Sequence, residues 1–150
     1  MVDIGCKEAV ERGAKAQGSI KVNRDVLDKL ASSGSVKKGN IMGTARVAGI
    51  LAAKMTSSLI PLCHNIPLNS VRIDMSIDEK DSFIRVEASA TTNYSTGVEM
   101  ECLTAVSVAL LTIYDMCKSI DKKMLISDIK LVSKIKRSNK AFPLSSTLST

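Results

Sequence analysis

Apolar and polar positions alternate along several stretches of the chain, and that period of two predicts strands. Residues 14–22 read Ala-Lys-Ala-Gln-Gly-Ser-Ile-Lys-Val. From Ser70 to Asp78, Val71, Ile73, Met75 and Ile77 alternate with polar neighbours. A turn over 79–82 and a second run from Phe83 to Asn93 complete an expected hairpin. A last strand is expected over 125–133, its alternation at Ile126, Ile129 and Leu131 slightly interrupted. Between the strands the period changes. Asn23 caps a short helix that stops near Gly34, and Lys37 to Asn40 reads as a turn. Ala45, Ala48, Gly49, Ala52 and Ala53 fall at helical spacing within 41–57, a stripe of small residues suited to close packing. Pro61 bounds that helix, because the residue before a proline is pushed out of the α region. Residues 58–68 hold two of the three prolines and predict an irregular loop. Thr96 to Lys118 predicts a helix of about 22 residues, or about 33 Å. Thr96-Gly97-Val98-Glu99 opens it with the pattern of a capping box.

The main order is strand, helix, strand, strand, helix, strand, with an extra short helix near residue 25. That is the ferredoxin-like βαββαβ arrangement of an α+β fold. Right-handed crossovers place both long helices on one face of an antiparallel sheet. With so many aliphatics in the strands, the other face is expected to be apolar and bare, which implies a partner subunit. The length of 150 residues suits one domain, expected over 1–134. Residues 135–150 turn basic and then Ser/Thr-rich, and are expected to form a flexible tail.

Charge narrows the partners. Lys and Arg number 21 and Asp and Glu 15, a net +6 that favours an anionic partner. Aromatics are only 3%, which argues against a base-stacking platform for nucleic acid. Cys6, Cys63, Cys102 and Cys117 form no C-x-x-C pair and His64 is the single histidine, so no structural zinc site is expected. Scattered cysteines fit a reducing, cytoplasmic compartment. The charged first thirty residues do not read as a signal peptide. Lys54, Glu101 and Asp115 interrupt the apolar stretches, so no membrane span is expected. No Walker loop or dinucleotide fingerprint occurs.

A few side chains can carry chemistry. His64, in the proline-bracketed loop, suits a phosphate contact or proton transfer, or else satisfies loop carbonyls. Glu99 reads either as the closing member of the cap or as a ligand-binding carboxylate. Glu101 lies about 200° from it around the helix, so the two do not share one face. Asp115 and Lys118 are helix neighbours at a spacing of three. They form either a plain ion pair or an acid–base device, and the apolar run Val108 to Ile113 predicts a half-buried setting. Lys38, beside Gly39 and just before a helix N-terminus, is the best phosphate candidate among the basic residues.

Three stretches taken together carry a resemblance: Lys38-Gly39-Asn40-Ile41-Met42-Gly43-Thr44-Ala45-Arg46-Val47-Ala48-Gly49-Ile50, then Leu59-Ile60-Pro61-Leu62-Cys63-His64, then Thr96-Gly97-Val98-Glu99-Met100-Glu101 on through Ile113-Tyr114-Asp115-Met116-Cys117-Lys118. In order and spacing they resemble the MoaC family, the cyclic pyranopterin monophosphate synthases of molybdenum-cofactor biosynthesis. The similarity runs over residues 2–134. It implies a cytoplasmic lyase that converts (8S)-3',8-cyclo-7,8-dihydroguanosine 5'-triphosphate to cyclic pyranopterin monophosphate and pyrophosphate. The substrate would come from a radical-SAM GTP cyclase. The resemblance also implies a ferredoxin-like hexamer, a trimer of dimers with the active site at the dimer interface. It implies no contact with nucleic acid or membrane, no metal-ligating residues, and no cofactor beyond a Mg2+ ion accompanying the triphosphate. By position, Asp115 and Lys118 fall on the family's catalytic residues. Lys38, His64, Glu99, Asp3, Arg12 and Lys134 fall on its substrate-binding ones.

Two departures stand out. Asn65 occupies the place of the family's usual proline, and Lys134 to Lys140 replaces a glycine-rich lysine loop. Glycine backbone can wrap a phosphate closely, whereas this segment must rely on its basic side chains. Glu99 and Asp115 are also about 24 Å apart along one helix, too far to hold one small substrate. An antiparallel two-fold pairing would bring Asp115 of one subunit near Glu99 of the other. The rival reading is a ferredoxin-like module that binds a small ligand or nucleic acid without catalysis. It has no need of the Asp115 and Lys118 pair, and only Phe83 among the aromatics falls in a predicted strand.

Overall fold

The computed structural model describes residues 1–137. Strand β1 (Val10–Lys21) leads into helix α1 (Arg24–Ser32), then a two-strand hairpin of β2 (Ser35–Val36) and β3 (Gly39–Asn40). Helix α2 (Ile41–Lys54) and the single turn α3 (Thr56–Leu59) follow. Strands β4 (Ser70–Asp78) and β5 (Phe83–Tyr94) precede helix α4 (Glu99–Cys117) and strand β6 (Leu125–Arg137). The four long strands pair in the order β4-β5-β1-β6, antiparallel at every junction. With the short hairpin set aside, this is the ferredoxin-like α+β topology that the element order predicts.

The core is aliphatic, as so few aromatics require. Ala14, Ala16 and Ile20 of β1, Ile84, Val86 and Ala88 of β5, and Ile73 of β4 are buried together with Ala105, Val106, Ala109, Leu110 and Ile113 of α4. Helix α2 crosses α4 at Gly49, where a Cβ would overlap the Ile73 side chain and crowd the Ala105 carbonyl. The small-residue stripe therefore serves the helix–helix contact. An 18-residue window of α4 reaches a mean hydropathy of 1.5, long and apolar enough to cross a bilayer, contrary to the sequence expectation. Its apolarity belongs to the core, where Ala105 to Ile113 lie largely buried.

Several boundaries differ from the sequence expectation. Strand β1 begins at Val10, because Val10 to Gly13 find ladder partners in Tyr94 to Thr91 although their own pattern is not apolar. Helix α2 stops at Lys54 and α3 is a separate turn. Residues 37–40 belong to the β2–β3 hairpin, in which Gly39 takes φ 111°, a conformation suited to glycine. Asn40 then caps α2, its side-chain oxygen accepting from the Gly43 amide. Helix α4 starts at Glu99 after Val98, with no side-chain cap, so the Thr96 capping box does not form. Strand β6 continues along β1 to Arg137, past the expected end of the domain at 134. The remainder of the expected tail lies outside the described residues.

The centre of the open sheet face is polar, where an apolar face was expected. Lys15, Gln17 and Ser19 of β1 stand there with Arg72, Asp74 and Ser76 of β4 and Arg85 and Glu87 of β5. Lys15 pairs with Glu87 at 2.7 Å and Arg85 with Asp78 at 3.1 Å. The reason is the strand period: the aliphatics of β1, β4 and β5 all point to the helix side, leaving their polar alternates for the other. Exposed apolar side chains are Val47 and Leu51 on α2, Met55 just past its end, Leu111 on α4, and Leu125, Val132 and Ile135 on β6, of which Leu125 and Ile135 pair with Lys21 and Gly13 and so stand at the two ends of the open face.

Candidate active site

Two clusters of polar side chains occupy opposite ends of α4. At the C-terminal end, the Lys38 Nζ donates to Asp115 Oδ2 at 2.5 Å and to the Asp115 main-chain oxygen at 3.1 Å. Lys118 Nζ lies 2.7 Å from Asp115 Oδ1. One carboxylate is thus gripped by two ammonium groups. The hairpin carries Lys38 to this place because α1 is stapled to the segment that follows α4. The Asn23 amide donates to the buried Asp121 Oδ2 at 2.7 Å, and the Lys123 amide donates to its other oxygen at 2.8 Å. The Ile41 amide donates to the Gly34 carbonyl at 3.0 Å, closing the base of the hairpin.

This cluster is open to solvent, against the half-buried setting expected for it. Side-chain exposure is 50% for Lys38, 53% for Asp115 and 57% for Lys118. Ile113 before the pair and Met116 and Cys117 within it are buried, but Asp115 and Lys118 sit on the other side of the helix. Hydrogen bonds from Lys118 and then Lys38 hold the Asp115 carboxyl down at about 2. The same contact with Asp115 pushes the Lys118 ammonium above its ordinary range. Near neutral pH, Asp115 is therefore a fixed anion and Lys118 a fixed cation that can give a proton. Two cations against one anion leave a net positive charge for an anionic ligand.

At the N-terminal end, a cleft of about 330 Å3 is lined by Cys63, His64, Glu99, Glu101, Leu131 and Lys134. Glu99 Oε1 faces Lys134 Nζ at 3.7 Å. Its carboxylate folds back over Gly97, where a Cβ would overlap it, so Glu99 serves the cleft and not a helix cap. His64 Nε2 is 2.8 Å from the Val2 carbonyl oxygen, so the chain start lies against the imidazole. Asp3 and Arg12 are near this end but do not line the cleft. Asp3 Oδ1 accepts from the Gly5 amide at 2.8 Å, closing a local turn. Arg12 donates from Nε to the Tyr94 carbonyl at 3.0 Å and from Nη2 to the Ser95 carbonyl at 3.2 Å. It holds the loop from which Gly97 and Glu99 follow.

Glu101 is the residue that helical angle alone misplaced. The 200° separation from Glu99 holds only for side chains pointing straight outward, and Glu99 bends back while Glu101 turns in. Both line the cleft. Glu101 is 3% exposed, and its Oε2 has no hydrogen-bond partner among the described residues. Burial pushes its carboxyl above the ordinary range, and the nearby Glu99 adds to the effect. The available signal was a lone carboxylate just inside an apolar run.

Lys38, Asp115 and Lys118 therefore come together, as do His64, Glu99 and Lys134, while about 24 Å of helix separates the two sets within the chain. A ferredoxin-like α+β protein with a cluster of charged side chains at each end of its core helix is the class that fold and clusters define. Residues 1–136 match the MoaC family. The cyclic pyranopterin monophosphate synthase of Clostridium perfringens (strain 13 / Type A) is 49% identical over 135 residues, 90% of this chain and 85% of its own length. That of Desulforapulum autotrophicum is 53% identical over 134 residues, 89% of this chain and 82% of its own. The chain belongs to the MoaC family.

Proposed function

We propose that this chain catalyses the reaction its relatives are named for, the formation of cyclic pyranopterin monophosphate in molybdenum-cofactor biosynthesis. It is a lyase whose substrate is (8S)-3',8-cyclo-7,8-dihydroguanosine 5'-triphosphate and whose second product is pyrophosphate. The observation that carries this reading beyond likeness is the Asp115 carboxylate held between Lys38 and Lys118. Rearranging a purine ring and closing a cyclic phosphate both require protons to move among ring nitrogens, water and ribose oxygens. Lys118 is the proton donor. Asp115 orients it and keeps it charged. Lys38 adds the cation that faces the phosphates.

His64, Glu99 and Lys134 hold the substrate from the other side of the site, and Arg12 and Asp3 shape the segments around them. The helix length between the sets supports a site shared by two subunits, with a two-fold axis bringing Asp115 of one to Glu99 of the other. The exposed apolar side chains on α2 and β6 support association, and the assembly we infer is a hexamer built as a trimer of dimers. A radical-SAM GTP cyclase supplies the substrate, in the cytoplasm. Incubation of the purified chain with the cyclised dihydro-GTP should yield cyclic pyranopterin monophosphate by mass spectrometry and pyrophosphate in equal amount. Absence of both products with intact substrate would refute the assignment.

A further inference from the structure

The segment ahead of β1 has no partner in the β1–β5 ladder, which begins at Val10. It turns back on itself instead. Asp3 Oδ1 accepts from the Gly5 amide, and the Lys7 amide donates to the Ile4 carbonyl at 3.0 Å. Ser95 Oγ donates to the Lys7 carbonyl at 2.9 Å, and Ile4 alone among residues 1–9 is half-buried. So held, the segment brings Val2 against His64, 62 positions away, with its carbonyl oxygen 2.8 Å from Nε2. The imidazole rides on a loop that is tied on either side of it. The Cys63 amide donates to the Ile60 carbonyl at 3.1 Å, and the Thr92 hydroxyl donates to the Pro67 carbonyl at 2.6 Å. Neither tie touches the ring. The contact with Val2 is the ring's one hydrogen bond among the described residues.

A carbonyl oxygen can only accept, so Nε2 carries the hydrogen in this contact. In the neutral ring Nδ1 then keeps its lone pair, because the bond made by one imidazole nitrogen sets the role of the other. We propose that the Val2 main-chain carbonyl is a positioning group: it locks His64 as the Nε2–H tautomer and leaves Nδ1 as a hydrogen-bond acceptor for the cleft that His64 shares with Glu99, Glu101 and Lys134. Through Nδ1, His64 meets an N–H or O–H group of the ligand. An ionised phosphate oxygen, which only accepts, finds no partner there. The buried Glu101 Oε2, also without a partner among the described residues, asks the same of the ligand. Of the roles that the sequence leaves open for His64, satisfying a carbonyl and facing the ligand are thus compatible, one for each nitrogen. The lock rests on the geometry alone, and its use in turnover rests on the reading of the chain as a pyranopterin-forming enzyme.

His64 is the single histidine, so isotope-labelled histidine gives one ring to follow by proton–nitrogen correlation spectra. Two shortened chains are released from a cleavable fusion that leaves no added residue. One starts at Val2 and keeps the carbonyl; the other starts at Asp3 and lacks it. Met1 and Val2 are exposed, so both should melt as the full chain does. Spectra are taken at about pH 8, where an ordinary imidazole is neutral. The full chain and the Val2 chain should show the Nε2–H tautomer, with a proton slow to exchange with water. The Asp3 chain should show a mixture of tautomers in fast exchange. With the cyclised dihydro-GTP, the Asp3 chain should raise KM about fivefold, the size of one ordinary hydrogen bond, and change kcat less. His64→Asn, whose amide oxygen can stand where Nδ1 does, should keep a lower KM than His64→Gln, whose amide reaches the Nε2 position instead. The Nδ1–H tautomer in the full chain, an unchanged spectrum or KM in the Asp3 chain, or a lower KM for His64→Gln would overturn the proposal. A full chain that gives the expected spectra yet makes no cyclic pyranopterin monophosphate would keep the lock and overturn the functional reading alone.

Discussion

Asp115 and Lys118 show how a single contact fixes two protonation states. Because Asp115 is held at about 2 and Lys118 is raised, neither group titrates between about pH 5 and 9. Any bend in the pH–rate profile within that range therefore belongs to another group. The sign for stability follows from the lowered carboxyl: its contribution is present above the unfolded carboxylate range and is lost as pH falls towards 2. Lys118→Ala and Asp115→Ala should each abolish turnover while leaving the circular dichroism spectrum and the assembly unchanged. The double variant should be little worse than either single one, because groups that act as a unit are not additive. Near-normal turnover in either single variant would reduce the pair to a helix-surface ion pair.

Glu101 behaves in the opposite sense. Its carboxyl is raised by burial, so the ionised form opposes folding. That opposition is absent below the ordinary carboxylate range, grows as pH rises towards the raised folded value, and is complete above it. Glu101→Gln should match the wild type in thermal melts at about pH 4 and melt a few degrees higher at about pH 8. An equal difference at both values would mean that shape, and not charge, governs the position.

At the scale of elements, the crossing of α2 and α4 depends on the missing side chain of Gly49. One obstacle to a Cβ there is the Ala105 carbonyl, which belongs to the backbone of a buried helix and cannot step aside as a side chain tip can. Gly49→Ala should cost about 1–3 kcal/mol, read as a lower denaturant midpoint with an unchanged slope. The sequence pattern disclosed the elements where each segment specified itself. The hairpin strand Ser70–Asp78 is found as predicted, because β4 alternates cleanly and pairs with its neighbour in sequence. It disclosed less where a distant partner decides. Val10 to Gly13 become strand because β5 and β6 lie beside them, and the loop before α4, where Thr96 does not cap, is held by Arg12 from far off in sequence. Lys38 reaches Asp115 across 77 positions, a meeting that local spacing cannot reveal. Family resemblance had placed both residues in one site without saying that they touch.

At the scale of the whole molecule, the inferred association no longer rests on a wholly apolar sheet face, since the centre of that face is polar and internally paired. It rests on the exposed apolar residues of α2 and β6 and on the separation of the two clusters. Sedimentation at micromolar concentration should show an oligomer, and a monomer would remove the basis for a shared site. A sharper test uses two inactive variants. Asp115→Ala destroys one half of every site and Glu99→Ala the other. If each site takes Asp115 from one subunit and Glu99 from its partner, a mixed dimer holds one intact site and one site lacking both residues. With random pairing, half of the dimers are mixed and half of their sites are whole, so the co-expressed variants should recover about a quarter of wild-type turnover. If each chain instead carries its own complete site, no pairing can restore activity, and the mixture should be as inactive as its parts.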